Sequence, residues 1–173
     1  MKTFIYLFIS VCSLSLFFPS CNDNEDIQSY FPEEYYKILY IKDSGSHEIS
    51  LSNVSDEFAH TVYVCKAGSN PALEADCSIK VLSQTFVDNN YNTSNSGVKY
   101  TILPSEYYKI DNTDLHFASN ETAKEINVIL NTNEIINLLN EDELVGYVLP
   151  LYAVSETDSI NSGLNTYMIE LKK

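Results

Sequence analysis

The sequence predicts an all-β domain over residues 30–173, namely an antiparallel, immunoglobulin-like β-sandwich with one or two short helices. Short runs rich in Val, Ile, Tyr and Thr alternate with Gly, Pro, Asn and Asp, as in strands joined by turns. No internal repeat and no long helical periodicity interrupts these runs, of which seven or eight fit a sandwich. A closed β-barrel is the alternative arrangement of the same strands.

The N-terminal segment is typical of a secretory signal peptide. Lys2 and the free amine supply positive charge, and Phe4–Phe18 is almost wholly apolar. At ~1.5 Å per residue a helix of this length spans roughly 22 Å, which is less than the ~30 Å hydrocarbon core of a membrane. We therefore assign residues 1–20 to a signal peptide and not to a transmembrane anchor.

A cysteine follows directly at the boundary. The sequence Phe18-Pro19-Ser20-Cys21 resembles a lipobox, although Phe18 replaces the usual Leu. We expect Cys21 to carry acyl chains such as palmitate and to anchor the mature protein in outer-membrane lipid. Residues 21–29 form the expected lipidated flexible tether, because their Asn, Asp and Glu side chains cannot form a core. This acidic tether also resembles the surface-export signal of Bacteroidota lipoproteins, which predicts a cell-surface location.

The net charge of the chain limits the classes of partner that it can bind. The formal net charge is −14, and loss of Lys2 with the signal peptide makes it −15. All ten basic residues are Lys. This composition argues against binding to nucleic acid, whose phosphates need a basic patch, and against a polybasic contact with anionic lipid. A neutral or cationic partner is expected.

The predicted strands share β-branched and aromatic residues, and several alternate apolar with polar positions. They are Tyr36–Lys42, His47–Ser52, Phe58–Cys65, Ser78–Leu82, Lys99–Leu103, Leu115–Ala118, Ile126–Leu130, Val145–Val154 and Thr166–Leu171. Ser119–Glu125 is expected to be the loop of a hairpin. Ser83–Tyr91 and Asn133–Leu144 are predicted as short helices, too short to organise the fold by themselves.

Two cysteines remain in the mature domain, because Cys12 leaves with the signal peptide and Cys21 is alkylated. Cys65 ends one predicted strand and Cys77 begins the next. In an exported protein these residues are expected to form a disulfide if the two strands pair as a hairpin. If the strands belong to different sheets, both cysteines serve as small apolar residues.

Tyrosines are the candidate binding residues, since the chain has 13 of them and no Trp. The doublets Tyr35-Tyr36 and Tyr107-Tyr108 are of interest because neighbouring residues of a strand face opposite ways. One ring of each doublet is therefore available to stack against a sugar. The alternative role of these rings is core or cross-strand packing.

No catalytic constellation is visible in the sequence. His47, His60 and His116 are scattered and lack neighbouring residues at metal-ligand spacing. No nucleophile elbow and no phosphate-binding loop is present. We therefore expect a protein that is not an enzyme and that needs no metal or cofactor.

Several motifs follow one another along the mature domain. They are Thr61–Val64, Ile79–Val81, Asn89–Asn92, Leu103–Tyr108, Leu115–Leu130, Gly146–Leu151 and Ser155–Asn161. Their order and spacing, from about Tyr30 to Leu171, resemble domain of unknown function family 1735, an N-terminal lipoprotein module of Bacteroidota. One departure is Asn120, which stands where we expect Gly in a hairpin turn and which tolerates the left-handed conformation.

This resemblance implies a cell-surface β-sandwich encoded among polysaccharide-utilisation genes. Such a module usually precedes a second domain, for example a family-18 glycosidase or a glycan-binding sandwich. The sequence ends at Lys173, so we expect no activity of a second domain. Asp158-Ser159-Ile160 also resembles the O-glycosylation acceptor of Bacteroidota, which makes Ser159 a candidate for modification.

Together these features predict a non-enzymatic lipoprotein module at the cell surface. We expect it to bind glycan, or to act as a spacer, within a polysaccharide-utilisation system. The alternative is a structural or assembly lipoprotein that contacts a partner protein. An exposed Tyr beside Asn or Asp favours glycan binding, whereas a flat apolar patch or an open edge strand favours protein assembly.

Overall fold

A computed structural model of the chain describes residues 30–52, 56–93 and 97–173. The predicted signal peptide, the lipidation at Cys21 and the tether lie outside these ranges. Phe31–Lys173 forms one compact unit. Among the described residues, no helix has the length and apolar character needed to cross a membrane.

The described residues contain eleven strands, two α-helices and 3-10 turns at Glu33–Tyr35 and Ser105–Tyr107. The first six strands are β1 (Ile38–Ile41), β2 (Gly45–Ser50), β3 (Glu57–Ala67), β4 (Ala75–Val81), β5 (Lys99–Ile102) and β6 (Tyr108–Asp111). The other five are β7 (Asp114–Phe117), β8 (Ala123–Asn131), β9 (Val145–Val154), β10 (Ser159–Ile160) and β11 (Thr166–Lys172). The helices are α1 (Gln84–Asn90) and α2 (Thr132–Glu141). The prediction of an all-β fold with short helices is confirmed.

Two sheets pack face to face. Sheet 1 has the order β10-β1-β3-β8-β6, and sheet 2 has the order β2-β11-β9-β4-β7, with β5 beside β9. Apolar residues from both inner faces form one core, which provides the main driving force for folding. Its members include Leu39, Ile41, Val62, Val64, Ile126 and Val128 from sheet 1 and Ile79, Leu149, Leu151 and Ile169 from sheet 2.

Strand β3 shows how the sequence builds this layer. Val62 and Val64 are buried, and Tyr63 between them faces outward, as alternation predicts. Lys66 occupies the next inward position and is also buried. Its Nζ donates hydrogen bonds to the carbonyls of Leu73 at 2.6 Å and Ala118 at 3.1 Å. The lysine therefore links the β3–β4 and β7–β8 loops, and its charge is met by two carbonyl oxygens.

The two helices close different parts of the sandwich. Ile135 and Leu139 of α2 belong to the main core, so this amphipathic helix packs against the interior. Val87 of α1 joins Val148 and Met168 in a second apolar cluster on the outer face of sheet 2. Sheet 2 is therefore covered on both faces in this region.

The strand pairing differs from the prediction in two respects. Among the strands that the structure describes, three pairs are parallel, namely β1 with β10, β2 with β11 and β5 with β9, and the other pairs are antiparallel. The expected hairpin around Ser119–Glu125 is wrong, because β7 pairs with β4 whereas β8 pairs with β3 and β6. This turn instead carries the chain from sheet 2 to sheet 1. Asn120 lies within it with φ 63°, in the expected left-handed conformation.

The expected disulfide loses its structural basis. Cys65 lies in sheet 1 and Cys77 in sheet 2, so β3 and β4 do not form a hairpin. Cys65 points away from the core beside Tyr40, whereas Cys77 is a core residue, and both cysteines are free. Burial raises the pKa of the Cys77 thiol to about 11, which disfavours the reactive thiolate. Cys77 therefore behaves as a small apolar core residue.

Candidate functional site

The two tyrosine doublets lie in different places and differ in exposure. Tyr35 ends the 3-10 turn before β1 and is 48% exposed. Tyr36 is half-buried. Tyr107 and Tyr108 are also half-buried and pack against the main core. Of the four predicted rings, Tyr35 is therefore the one with the most surface available for stacking.

Tyr35 lines a cleft of about 320 Å³ at the edge of sheet 1. The other lining residues come from the same turn, from β1 and from the segment that contains β10. They are Glu34, Ile38, Ser159, Ile160, Asn161 and Ser162. We call this site the Tyr35 cleft. It brings a ring from the beginning of the domain beside hydroxyl and amide groups from its C-terminal part.

The walls of the Tyr35 cleft are fixed by backbone pairing. Ser159 lies opposite Ile38 in the parallel pair of β1 and β10. The Asn161 amide then donates to the Leu39 carbonyl at 2.9 Å. The Asn161 side-chain Oδ1 accepts a hydrogen bond from the Gly163 amide at 3.0 Å, which orients the side chain. The polar wall is therefore positioned before any ligand arrives.

The β3–β4 loop forms backbone hydrogen bonds with Tyr35 and Tyr36, which we call the tyrosine segment. The Tyr35 carbonyl accepts a hydrogen bond from the Ser69 amide at 3.1 Å, and the Tyr36 carbonyl accepts one from the Asn70 amide at 2.9 Å. This close approach depends on Gly68, which has φ 129°. A Cβ at this position would lie 2.4 Å from the Tyr36 carbonyl oxygen. Glycine is therefore required here for space as well as for backbone conformation.

A partly buried ion pair connects the two segments that line the cleft. Lys37 pairs with the carboxylate of Asp158, whose side chain is 1% exposed. Asp158 Oδ2 also accepts hydrogen bonds from the Asp76 amide at 2.8 Å and from the Thr157 hydroxyl at 3.0 Å. Lys37 Nζ in turn donates to the Glu74 carbonyl at 2.7 Å. Lys37, two residues after Tyr35, and Asp158, directly before Ser159, thus belong to one network.

The same contacts set the ionisation of Asp158. Burial by itself raises the pKa of this carboxyl. Hydrogen bonds from Lys37, the Asp76 amide and Thr157 outweigh that effect, so the pKa lies below its ordinary value. The ionised form is therefore favoured in the folded protein.

Ser159, the predicted O-glycosylation site, lies half-buried in this cleft. The neighbouring Asp158 is engaged in the ion pair just described. Modification of Ser159 stays a prediction.

Residues that the structure describes line two further clefts elsewhere on the domain. Tyr107 and Tyr108 line one of about 400 Å³ together with Glu57, Glu106 and Asn131, but both rings are partly covered by the core.

The second cleft, of about 340 Å³, lies on the outer face of sheet 2 and contains two polar pairs. His116 Nδ1 lies 2.8 Å from Asp76, and the Ser78 hydroxyl donates to Asp114 at 2.7 Å. Ser78 therefore bonds a carboxylate and not the imidazole, which is the partner that would activate a serine nucleophile. Among the described residues, no group of three His, Cys, Asp or Glu side chains is arranged to hold a metal ion.

The other two histidines, His47 and His60, both contact Tyr167. The sequence did not predict this cluster. The His47 ring stacks on Tyr167 with 4.2 Å between centroids, and His60 Nε2 lies 2.9 Å from the Tyr167 hydroxyl. Burial, with a smaller contribution from His47, lowers the pKa of His60. Because His60 belongs to sheet 1 and Tyr167 to sheet 2, this contact links the sheets.

The architecture is shared by solved structures from Bacteroides. A provisionally assigned carbohydrate-binding protein from Bacteroides ovatus gives a TM-score of 0.61 at 24% identity, over 78% of this chain and 36% of that chain. A multidomain protein from the same species that includes domain of unknown function 1735 gives 0.53 at 14% identity, over 79% and 44%. EndoBT-3987 of Bacteroides thetaiotamicron, solved with a Man5GlcNAc product, gives 0.52 at 15% identity, over 78% and 30%. At these identities the likeness shows the fold.

The chain thus spans less than half the length of these three proteins. No curated protein is a significant match to it. The family model that matches the sequence is described as an N-terminal domain, and the match covers residues 23–160. The motif order, the two-sheet fold and the Bacteroides neighbours agree with this match. The chain belongs to domain of unknown function family 1735, as a domain of the N-terminal type.

Proposed function

We propose that this domain is a non-catalytic glycan-binding module and that the Tyr35 cleft binds the sugar. The observation that carries the proposal is the exposed ring of Tyr35 beside the Ser159, Asn161 and Ser162 side chains. A sugar ring presents an apolar C–H face and a rim of hydroxyl groups. A tyrosine ring complements the first, and short hydroxyl and amide side chains complement the second.

The charge of the domain favours neutral or amino sugars over acidic ones. The sequence carries a net charge of −14, and Glu34 lines the cleft itself. The negative charge of the domain would repel an anionic glycan. A neutral glycan has no charged group whose removal from water would cost free energy on binding. The fold likeness to a provisionally assigned carbohydrate-binding protein supports the same ligand class.

A non-catalytic role accords with the polar groups described above. Ser78 and His116 each bond a different carboxylate, so they do not form a nucleophile and base pair. The carboxylates of Asp76 and Asp114 lie on an open strand face, where solvent screens them.

Removal of the Tyr35 ring tests the proposal. In titrations of soluble protein from Asn22 to Lys173, Tyr35→Ala should weaken glycan binding roughly tenfold, because stacking contributes on the order of 1 kcal/mol. Tyr35→Phe keeps the ring and should stay within about twofold of wild type. The probes are arrayed α- and β-linked glucans, mannans, xylans and amino-sugar oligosaccharides, with Man5GlcNAc included.

The matched control is Leu144→Ala, which removes an exposed apolar side chain that does not line the cleft. It should bind as wild type does. Equal binding by Tyr35→Ala and wild type would place the site elsewhere. Failure of every arrayed glycan to bind would refute the glycan proposal and favour a module that contacts a partner protein.

We also propose that Cys21 anchors the module to outer-membrane lipid, on the cell surface. The lipobox-like sequence Phe18-Pro19-Ser20-Cys21 and the acidic tether support this location. Cys21→Ala should abolish metabolic labelling with palmitate and leave unprocessed precursor, whereas Cys12→Ala should do neither. Continued labelling of the Cys21→Ala protein would disprove the assignment.

A further inference from the structure

The outer face of sheet 1 carries a second set of aromatic side chains. In β1, Leu39 and Ile41 are buried, so Ile38 and Tyr40 face outward. In β3, buried Val62 and Val64 flank Tyr63, which faces outward in the same way and is 42% exposed. Because β1 and β3 are neighbours, the two rings lie on the same face.

This face is continuous with the Tyr35 cleft. Ile38 lines the cleft and also begins the outward row of β1. Tyr40 follows two residues later, and Lys42 bonds through its amide to the Tyr63 carbonyl at 2.9 Å. At ~3.3 Å per residue, the distance from Ile38 to Lys42 along β1 is roughly 13 Å, which is longer than one sugar ring.

Polar and small side chains surround the two rings. Thr61 donates to Asn127 at 2.8 Å across β3 and β8, and Glu125 lies opposite Tyr63. Cys65 of β3 lies directly opposite Tyr40 of β1, and its side chain is small. Lys42 Nζ lies 5.8 Å from the centroid of the Tyr63 ring, which favours one orientation of that ring. The surface therefore alternates flat rings with hydrogen-bonding groups.

The outer face of sheet 1 differs from that of sheet 2. Val87 of α1 packs on the outer face of sheet 2 with Val148 and Met168. α2 contributes Ile135 and Leu139 to the interior. Among the described residues, neither helix thus buries an apolar cluster on the outer face of sheet 1. Lys42 lies over the Tyr63 ring and Glu125 lies opposite Tyr63, so one positive and one negative side chain flank this ring.

We propose that the ligand is a glycan chain, one end of which occupies the Tyr35 cleft while the rest crosses the outer face of sheet 1 over Tyr40 and Tyr63. This inference rests on the proposed glycan-binding function and specifies its ligand as an oligosaccharide. The tyrosine rings can stack on the apolar faces of successive sugars, and the neighbouring hydroxyl and amide groups can bond their hydroxyl groups, which together suit a sugar chain. Tyr63 then acts as a specificity residue for chain length.

A chain-length series tests this extended site. Glucan, mannan and xylan oligosaccharides from disaccharide to hexasaccharide, together with Man5GlcNAc, are titrated into soluble protein. Wild type should bind hexasaccharides more tightly than disaccharides. Tyr63→Ala should lower the affinity for hexasaccharides roughly tenfold and leave disaccharide binding unchanged. Tyr35→Ala should weaken both, and Tyr63→Phe should restore the preference for longer chains.

The outcomes separate the two proposals. If Tyr35→Ala weakens binding but Tyr63→Ala changes neither ligand, the extended site is wrong and the Tyr35 cleft stands. Equal binding of disaccharides and hexasaccharides by wild type would overturn the extended site in the same way. If no glycan binds, both proposals fail. Thermal unfolding midpoints of the Tyr63 variants should match wild type, because this side chain lies outside the core.

Discussion

Gly68→Ala is expected to lower the free energy of unfolding by roughly 2–4 kcal/mol, an effect among the larger ones for a single substitution. The backbone at Gly68 has φ 129°, which other residues rarely adopt. A new Cβ would also lie 2.4 Å from the Tyr36 carbonyl oxygen. Relief of that clash must separate the β3–β4 loop from the tyrosine segment, so glycan binding at the Tyr35 cleft should weaken as well.

Gly45→Ala is the matched control for this change. Gly45 also has a positive φ, 114°, but a Cβ there would meet no atom within 4 Å. Both variants share the conformational strain, and the clash is specific to Gly68. Urea unfolding should therefore show a clearly larger loss for Gly68→Ala. Equal losses of unfolding free energy in the two variants would show that the clash with the Tyr36 carbonyl does not contribute to the effect of Gly68→Ala.

Asp158→Asn is expected to lower the free energy of unfolding by roughly 2–3 kcal/mol near neutral pH. The substitution keeps the shape of the side chain but leaves Lys37 without its carboxylate partner. Lys37 is partly exposed, so solvent screens part of the loss. Asp111→Asn is a suitable control, because the Lys109–Asp111 pair is largely exposed and its loss should change stability little.

The contribution of Asp158 should depend on pH in a defined direction. The folded-state pKa of Asp158 is lowered, so the unfolded protein binds the proton more readily. The stabilisation is therefore complete above the unfolded pKa of ~3.9 and is lost as the pH falls through the lower folded pKa. Unfolding measured at pH 6 and at pH 3 should show a large difference between wild type and Asp158→Asn at pH 6 and a smaller one at pH 3. A difference that is constant with pH would contradict the ion pair.

Most strands were predictable because their local pattern agrees with their environment. In β3 and β9, runs of β-branched and aromatic residues coincide with buried positions. β6 (Tyr108–Asp111) and β10 (Ser159–Ile160) were missed because they are short and gain their hydrogen bonds from distant strands. The pairing of β7 and β8 was predicted wrongly because the length of a turn does not specify which sheet each strand joins.

The Tyr35 cleft was predictable in part. Tyr35 was a candidate because adjacent tyrosines cannot all face the core. Its neighbours Asn161 and Ser162 come from more than 120 positions later in the sequence, and only the parallel pairing of β1 with β10 brings them close. The sequence did not identify Tyr40 and Tyr63 as candidate binding residues, because a single tyrosine in a predicted strand is typical of ordinary packing. In the structure Tyr63 is 42% exposed and Tyr40 is half-buried, whereas Tyr167 is a core residue.

An NMR titration shows directly which residues contact the glycan. Isotopically labelled protein from Asn22 to Lys173 is titrated with the glycan that binds most tightly on the array. Binding at the Tyr35 cleft predicts that the largest shift changes fall on Tyr35, Ile38 and Asn161. His116 and Ser78, on the outer face of sheet 2, should show little change. Shift changes centred on His116 and Ser78, or on Tyr107 and Tyr108, would contradict glycan binding at the Tyr35 cleft.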